Sequence, residues 1–292
     1  MTTLQRSFSA LLAFVATGLQ AELADLTPSY NVKRSQGEYR FDNSKTDYAA
    51  LKWKSSVAAG KYYLLEFRAS AEKNGELSVD LRGFPEKSSD LFGKYTVSTG
   101  TELYRVYFYS PAAAELTCRI FTGNSIKLSG LQLRELQPAE LARLETGSLN
   151  DQFYFLRRPT GATLESVDAK DSLEGGKAVR YTLLAPDGTA LTSRDFPLQP
   201  NGDYELSFWC KGTAGLLMNV RIDGWASGRK HWYLTREFKL ENNEYQLYRI
   251  PFRTPDDVNR FLGRGRLILT LKTTQATIEI KGLTLIRKIE KK

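Results

Sequence analysis

Tyr104-Arg-Val-Tyr-Phe-Tyr-Ser-Pro111 is echoed by Tyr248-Arg-Ile-Pro-Phe-Arg-Thr-Pro255. Two further stretches repeat in the same order: Leu77-Ser-Val-Asp-Leu-Arg-Gly-Phe84 as Met218-Asn-Val-Arg-Ile-Asp-Gly-Trp225, and Ile126-Lys-Leu-Ser-Gly-Leu-Gln-Leu133 as Ile278-Glu-Ile-Lys-Gly-Leu-Thr-Leu285. Three collinear echoes read as a tandem of two related domains. The offset between copies widens from the first echo to the last, which places small insertions in the second copy's connecting loops. A repeat this long lies far beyond the ~20–50 residue period of solenoids and propellers, so each copy must close its own core.

Along both copies, inside the echoes and between them, apolar residues fall on every second position. Tyr63, Leu65 and Phe67 share one parity, as do Leu77, Val79 and Leu81, then Tyr104, Val106 and Phe108. The second copy repeats this with Tyr204, Leu206 and Phe208, then Met218, Val220 and Ile222. Strict alternation is the mark of strands buried on one face. Gly60, Asn74-Gly75, Gly83, Gly100, Gly123-Asn124, Gly202, Gly212, Gly215 and Gly224 punctuate the runs, and short strands at such spacing predict sandwiches. The clearest helix is Pro138-Ala-Glu-Leu-Ala-Arg-Leu-Glu145, with proline at its first position and an early acid, lying between the copies as a connector. A shorter helical turn is predicted over Asp256 to Leu262. The organisation that follows is a signal peptide over 1–21, a first sandwich over 26–137, a linker over 138–146 and a second sandwich over 147–290.

The signal reading rests on Arg6, an apolar run from Phe8 to Leu19 and small residues near its end, with cleavage after Gly18 or Ala21. Export to a secreted or periplasmic bacterial location follows. No later stretch approaches the ~18–20 apolar residues that span a bilayer, so no transmembrane segment is expected in the mature chain. Cys118 and Cys210 sit at non-matching positions in different copies, each on the apolar parity of its strand, and are expected as buried thiols rather than a disulfide framework. At 292 residues with 41% apolar content, the chain can build two cores. The formal charge of +8 leans on a C-terminal crowd that includes Arg260, Arg264, Arg266, Lys272, Lys281 and Arg287. Such a field keeps a protein soluble and could also concentrate acidic glycans or a membrane surface. No motif for nucleic acid accompanies it.

The single histidine, His231, removes two-histidine zinc sites and histidine pairs at once. No Gly-x-Ser-x-Gly elbow presents a serine, and Gly263-Arg-Gly265 stops short of either phosphate-cradling glycine motif. No cofactor is expected. A paired-carboxylate glycosidase stays open, because its two acids can come from anywhere in a fold.

Asn201-Gly-Asp-Tyr-Glu-Leu-Ser-Phe-Trp209, Tyr248-Arg-Ile-Pro-Phe252 and the closing Ile278-Glu-Ile-Lys-Gly-Leu-Thr-Leu285 resemble the jelly-roll carbohydrate-binding modules found in tandem in bacterial polysaccharide-degrading enzymes, of the galactose-binding-like superfamily. The resemblance covers most of 145–290 and, more faintly, 26–137. It implies two all-β jelly-roll sandwiches and a glycan or polysaccharide as partner. The family's closing strand carries paired aspartates where Ser129-Gly130 and Lys281-Gly282 stand here, which speaks against a structural calcium on those acids. Sugars offer flat apolar faces edged with hydroxyls, so their sites need rings beside planar polar groups. Gly224-Trp-Ala-Ser-Gly-Arg-Lys-His-Trp-Tyr233, read as a loop, holds Trp225, Arg229, His231, Trp232 and Tyr233; the first copy answers with Phe84, Phe92 and Tyr95. These are the candidate ligand-binding residues, set against the alternative that such rings plug the open edge of a sandwich. Trp209, Trp53 and Tyr48 are weaker candidates. The expected function is a secreted, non-catalytic, two-module glycan binder, with the modules gaining avidity together. A cell-envelope structural or protein-interaction role and a jelly-roll lyase or hydrolase are the rival readings.

Overall fold

The computed structural model describes residues 21–22, 26, 28–42, 48–84, 91–145, 153–155, 162–168, 177–184, 190–226, 229–255, 263–273 and 275–288. All of the signal segment expected over 1–21 except Ala21, and the helical turn predicted over 256–262, lie outside the described residues. The first half contains β1 (Ala21–Glu22), β2 (Pro28–Tyr30), β3 (Val32–Ser35), β4 (Glu38–Phe41), β5 (Ala49–Val57), β6 (Lys61–Ala71), β7 (Gly75–Arg82), β8 (Leu91–Val97), β9 (Glu102–Ser110), β10 (Ala114–Thr122) and β11 (Ile126–Glu135). Helix α1 (Pro138–Glu145) follows. The second half contains β12 (Phe153–Phe155), β13 (Ala162–Asp168), β14 (Lys177–Leu183), β15 (Ala190–Ser193), β16 (Phe196–Pro197), β17 (Asp203–Gly212), β18 (Leu217–Ala226), β19 (Arg229–Lys239), β20 (Gln246–Arg253), β21 (Arg264–Leu271) and β22 (Ala276–Lys288).

Each half is an antiparallel jelly-roll sandwich. In the first, a front sheet runs β2-β5-β10-β7-β8 and a back sheet β3-β4-β11-β6-β9, with β1 also on β11. The second has a front sheet β12-β15-β21-β18-β19, with β16 also on β21, and a back sheet β13-β14-β22-β17-β20. The orders correspond strand for strand. The alternating residues supply the cores: Leu65, Phe67, Val106 and Phe108 from the back sheet meet Leu77, Val79, Leu81, Cys118 and Ile120 from the front. Tyr204, Leu206, Phe208, Met218, Val220, Ile222 and Cys210 do the same in the second sandwich. Burying each large apolar side chain contributes roughly 1.5–3 kcal/mol. Both cysteines are free and buried, and desolvation pushes each thiol up to about 12.

The repeated closing motif has a physical reason. In β11 the inward residues change parity, from Ile126 and Leu128 to Leu131 and Leu133, and in β22 from Ile278 and Ile280 to Leu283 and Leu285. The hinge is a glycine in left-handed conformation, Gly130 at φ 60 and Gly282 at φ 59, beside register shifts in both pairings. A bulge of this kind lets one strand serve the core on both sides of the bend. Replacing Gly282 by Ala should therefore destabilise the chain by about 1 kcal/mol, read as a lowered denaturant midpoint with an unchanged slope.

Helix α1 packs on the outer face of the first back sheet. Leu136 and Leu141 join Tyr62, Leu64 and Tyr107 in a third apolar cluster, and a forked ion pair joins Arg134 to Glu140 at 2.5 and 2.7 Å. The sandwiches also meet directly. Asp195, 4% exposed, accepts from Arg264 at 2.6 Å, Arg266 at 2.7 Å and the Tyr95 hydroxyl at 3.0 Å. Arg264 donates onward to the Phe92 carbonyl at 3.2 Å, and neighbouring Arg194 donates to the Leu103 carbonyl and to Glu102. The segment Ser193–Asp195 thus docks onto the β8 and β9 edges of the first sandwich.

Candidate functional site

The outer face of the first front sheet is not a plain polar surface. On β10 the residues opposite in parity to Leu116, Cys118 and Ile120 include Arg119 and Phe121. Phe121 lies between two other rings, 5.7 Å from Tyr48 and 6.2 Å from Phe92, and Tyr48 is 6.1 Å from Tyr30. Four rings therefore cross the sheet from β2 to β8. Arg119 lies 4.4 Å over the Phe121 ring, donates to the Tyr48 hydroxyl at 3.3 Å and to Asp80 at 2.7 Å. Asp80, 3% exposed on β7, also accepts from Arg82 at 2.8 Å. A carboxylate so placed holds the guanidinium in one orientation against the ring, pre-organising a planar donor edge beside an apolar surface.

The second front sheet carries a related but smaller group. The segment expected as a loop is a hairpin instead, its strands β18 and β19 pairing Asp223 with Trp232, Gly224 with His231 and Trp225 with Lys230. Trp232 is 63% exposed, with Arg221 at 5.5 Å over its ring. Arg221 is itself forked onto the buried Asp223 at 2.6 and 3.1 Å. This charge pair stands where the first copy has Asp80 and Arg82, with the signs exchanged. The side chains of Trp225, Arg229 and His231 lie outside the described residues.

Several expected ligand residues face inward. Tyr233 packs against the second core with its ring over Gly224, and burial pushes its phenol up, Arg264 opposing and Asp223 adding to the shift. Phe84 is 4% exposed, edge-on to Phe108, because the chain turns it into the open end of the first core. Tyr95 is buried as well, its hydroxyl committed to Asp195. Phe84 and Tyr95 therefore turn inward, against the sequence expectation that both rings face a ligand on the surface. Phe92 does lie on the outer face, joined there by three residues the sequence reading passed over, Tyr30, Arg119 and Phe121. The missed signal was an aromatic on the solvent parity of a strand, which an inward-facing search skips. Of the weaker candidates, Tyr48 belongs to the ring row, Trp53 is buried in the first core, and Trp209 is half-buried on the outer back face of the second sandwich.

A small cavity of about 20 Å³ opens where the sandwiches meet, lined by Tyr95, Thr96, Glu102, Tyr104, Arg105 and Arg194. Its polar groups are largely engaged: Glu102 with Ser98 and Arg194, and Arg105 with Glu66. Among the described residues no group of three or more His, Cys, Asp or Glu is placed to hold a metal ion, and no helix is long and apolar enough to cross a membrane.

No protein-family model matches the chain, and no curated protein matches it. Solved structures do. The N-terminal CBM22-1-CBM22-2 tandem domain of Paenibacillus barcinonensis Xyn10C is similar over 93% of this chain and 95% of that one, at 9% identity and a TM-score of 0.39. A CBM4 structure is similar over 48% of this chain and 88% of its own, at 16% identity and a TM-score of 0.37. A family 16 carbohydrate-binding module is similar over 44% and 87%, at 18% identity and a TM-score of 0.32. Each of the three is a carbohydrate-binding module or a tandem of them.

Proposed function

We propose that the chain is an exported, non-catalytic glycan-binding protein whose two sandwiches present their front sheets to carbohydrate. The observation that carries the reading is the row Tyr30, Tyr48, Phe121 and Phe92 with Arg119 locked beside it. Rings at this spacing offer successive sugar faces a stacking surface, and the guanidinium edge offers donors to the hydroxyls. The first sandwich supplies the longer platform and the second adds Trp232. Two platforms on one chain raise avidity for a repeating polymer when both engage.

A glycan array probed with the full chain at low and high salt tests the function. Binding to neutral glycans that survives high salt supports stacking as the source of affinity, whereas binding confined to acidic glycans and lost with salt assigns it to the cationic surface. No binding in either condition overturns the reading. Trp232→Ala should weaken retention on the polysaccharide so identified by several-fold. Its unfolding midpoint should barely move, because the residue is already 63% exposed.

A further inference from the structure

The outer face of the second back sheet has a composition that neither front sheet explains. Leu247 on β20 pairs with Trp209 on β17, and Trp209 pairs with Lys281 on β22, so the three form one row across the sheet. Leu247 is 41% exposed and Trp209 half-buried. The next row places Lys211, Glu279 and Arg180 side by side. Glu279 is saturated: one oxygen accepts two bonds from Arg180 at 2.7 and 2.9 Å, the other accepts from the Tyr245 hydroxyl at 2.7 Å and lies 3.3 Å from Lys211.

Lys281 is left differently. As a residue it is 4% exposed, and its ammonium lies between two rings, 5.7 Å from the Trp209 centroid and 5.3 Å from that of Tyr245. Among the described residues neither a carboxylate nor a carbonyl bonds it. An ammonium held between two rings, with no carboxylate bonded to it among the described residues, has something to gain from an anion. The cluster holds three cations, Arg180, Lys211 and Lys281, against two carboxylates, Glu279 and the Glu165 that pairs with Arg180 across the sheet, so one positive charge is left over beside an exposed apolar strip.

We propose that this face is a second ligand site, separate from the front sheets, that takes a carboxylate-bearing sugar of the uronic acid class. The apolar face of the ring stacks on Trp209 and Leu247, and the carboxylate approaches Lys281. A flat ligand suits the side-by-side indole and leucine, and a single carboxylate suits one lysine point charge better than a planar fork would. Ser207 and Thr284, joined at 2.7 Å in the adjoining row of the same face, supply hydroxyls for the sugar edge.

Calorimetric titration of the full chain with tri-galacturonate and with its methyl ester tests this, since the ester keeps the ring and removes the charge. The native chain should bind the acid at least ten-fold more tightly than the ester. Lys281→Met, which preserves length between the two rings, should abolish that preference; Lys281→Arg should keep part of it and guards against a folding defect. Trp209→Ala should weaken both ligands, and the preference for acid over ester should survive Phe121→Ala, on the other module's front sheet. Absence of binding by the native chain, equal affinity for acid and ester, or a preference that survives Lys281→Met would overturn the proposal. Loss of uronate binding in Phe121→Ala would assign the ligand to the front sheet instead, and so separates this inference from the proposed function.

Discussion

Asp195→Asn is expected to cost about 3–5 kcal/mol, the range for removing one member of a buried ion network. The carboxylate neutralises two guanidiniums that are themselves almost wholly withdrawn from water, with side chains 3% and 7% exposed. Asparagine keeps the shape but leaves both charges in place, so the loss is electrostatic rather than one of packing. Because the partners come from both sandwiches, the coupling between them should fall as well. Calorimetry should show one unfolding transition in the native chain and two in the variant, the first lowered by roughly 10 °C. Asp168→Asn, which breaks an ion pair whose side chains are 60% and 71% exposed, is the control and should be near-neutral. A small shift for Asp195→Asn, comparable with that control, would mean that the arginines are rehydrated and that the sandwiches are not held through this contact.

The same network sets a pH dependence. Burial raises the Asp195 carboxyl, but the guanidiniums of Arg266 and Arg264, with hydrogen bonds from Arg266 and Tyr95, outweigh it and hold the group below the usual carboxylate range. A pKa lower in the folded chain than in the unfolded one means that the contribution is complete above the ordinary carboxylate value. It is lost as the pH falls through the lowered native value. Between pH 7 and pH 2 the Asp195→Asn variant should therefore lose less stability than the native chain.

What could be read from the sequence followed from local periodicity. Tyr63, Leu65 and Phe67 lie inward because alternation is a property of a strand by itself, and Pro138 starts α1 because proline fits the first helical position whatever surrounds it. Contacts that depend on which strands become neighbours were illegible. Nothing in the sequence says that Tyr95 will meet Asp195, or that Phe121 will lie between Tyr48 and Phe92, since these meetings follow from sheet order and from the docking of two bodies. The pattern Gly-Phe84 and Gly-Trp225 falls at the ends of β7 and β18, which hold the same place in their sheets, but the equivalence is one of backbone. Phe84 closes a core, and the matching hairpin in the second copy extends outward to Trp232. Aromatic content alone could not separate these uses, because rings that plug a sandwich and rings that cross its outer face belong to the same residue types.

Phe121→Ala should weaken binding of the polysaccharide selected on the array by about 2 kcal/mol, near 30-fold in Kd, the loss expected at a central anchor rather than at the rim of a site. Phe121 is the position at which the row would be cut, since it is the ring in contact with both Tyr48 and Phe92 and the one beneath Arg119. Tyr30 stands at the far end, so Tyr30→Ala should cost several-fold less. Arg119→Lys sharpens the distinction between charge and shape. Lysine preserves the positive charge but cannot lie flat over Phe121 while donating to both Tyr48 and Asp80, so a roughly ten-fold loss that added salt does not alter would assign the role to the planar fork. If Arg119→Lys binds as the native chain does and Phe121→Ala also leaves Kd unchanged, the row is a solvated aromatic patch and the glycan reading of this face fails. Both substitutions lie on the outer parity of β10, opposite Cys118 and Ile120, so their unfolding midpoints should shift much less than that of a core change such as Phe108→Ala, which removes a side chain of 0% exposure. Affinity and stability therefore separate at this face, and that separation is what distinguishes a binding surface from a second core.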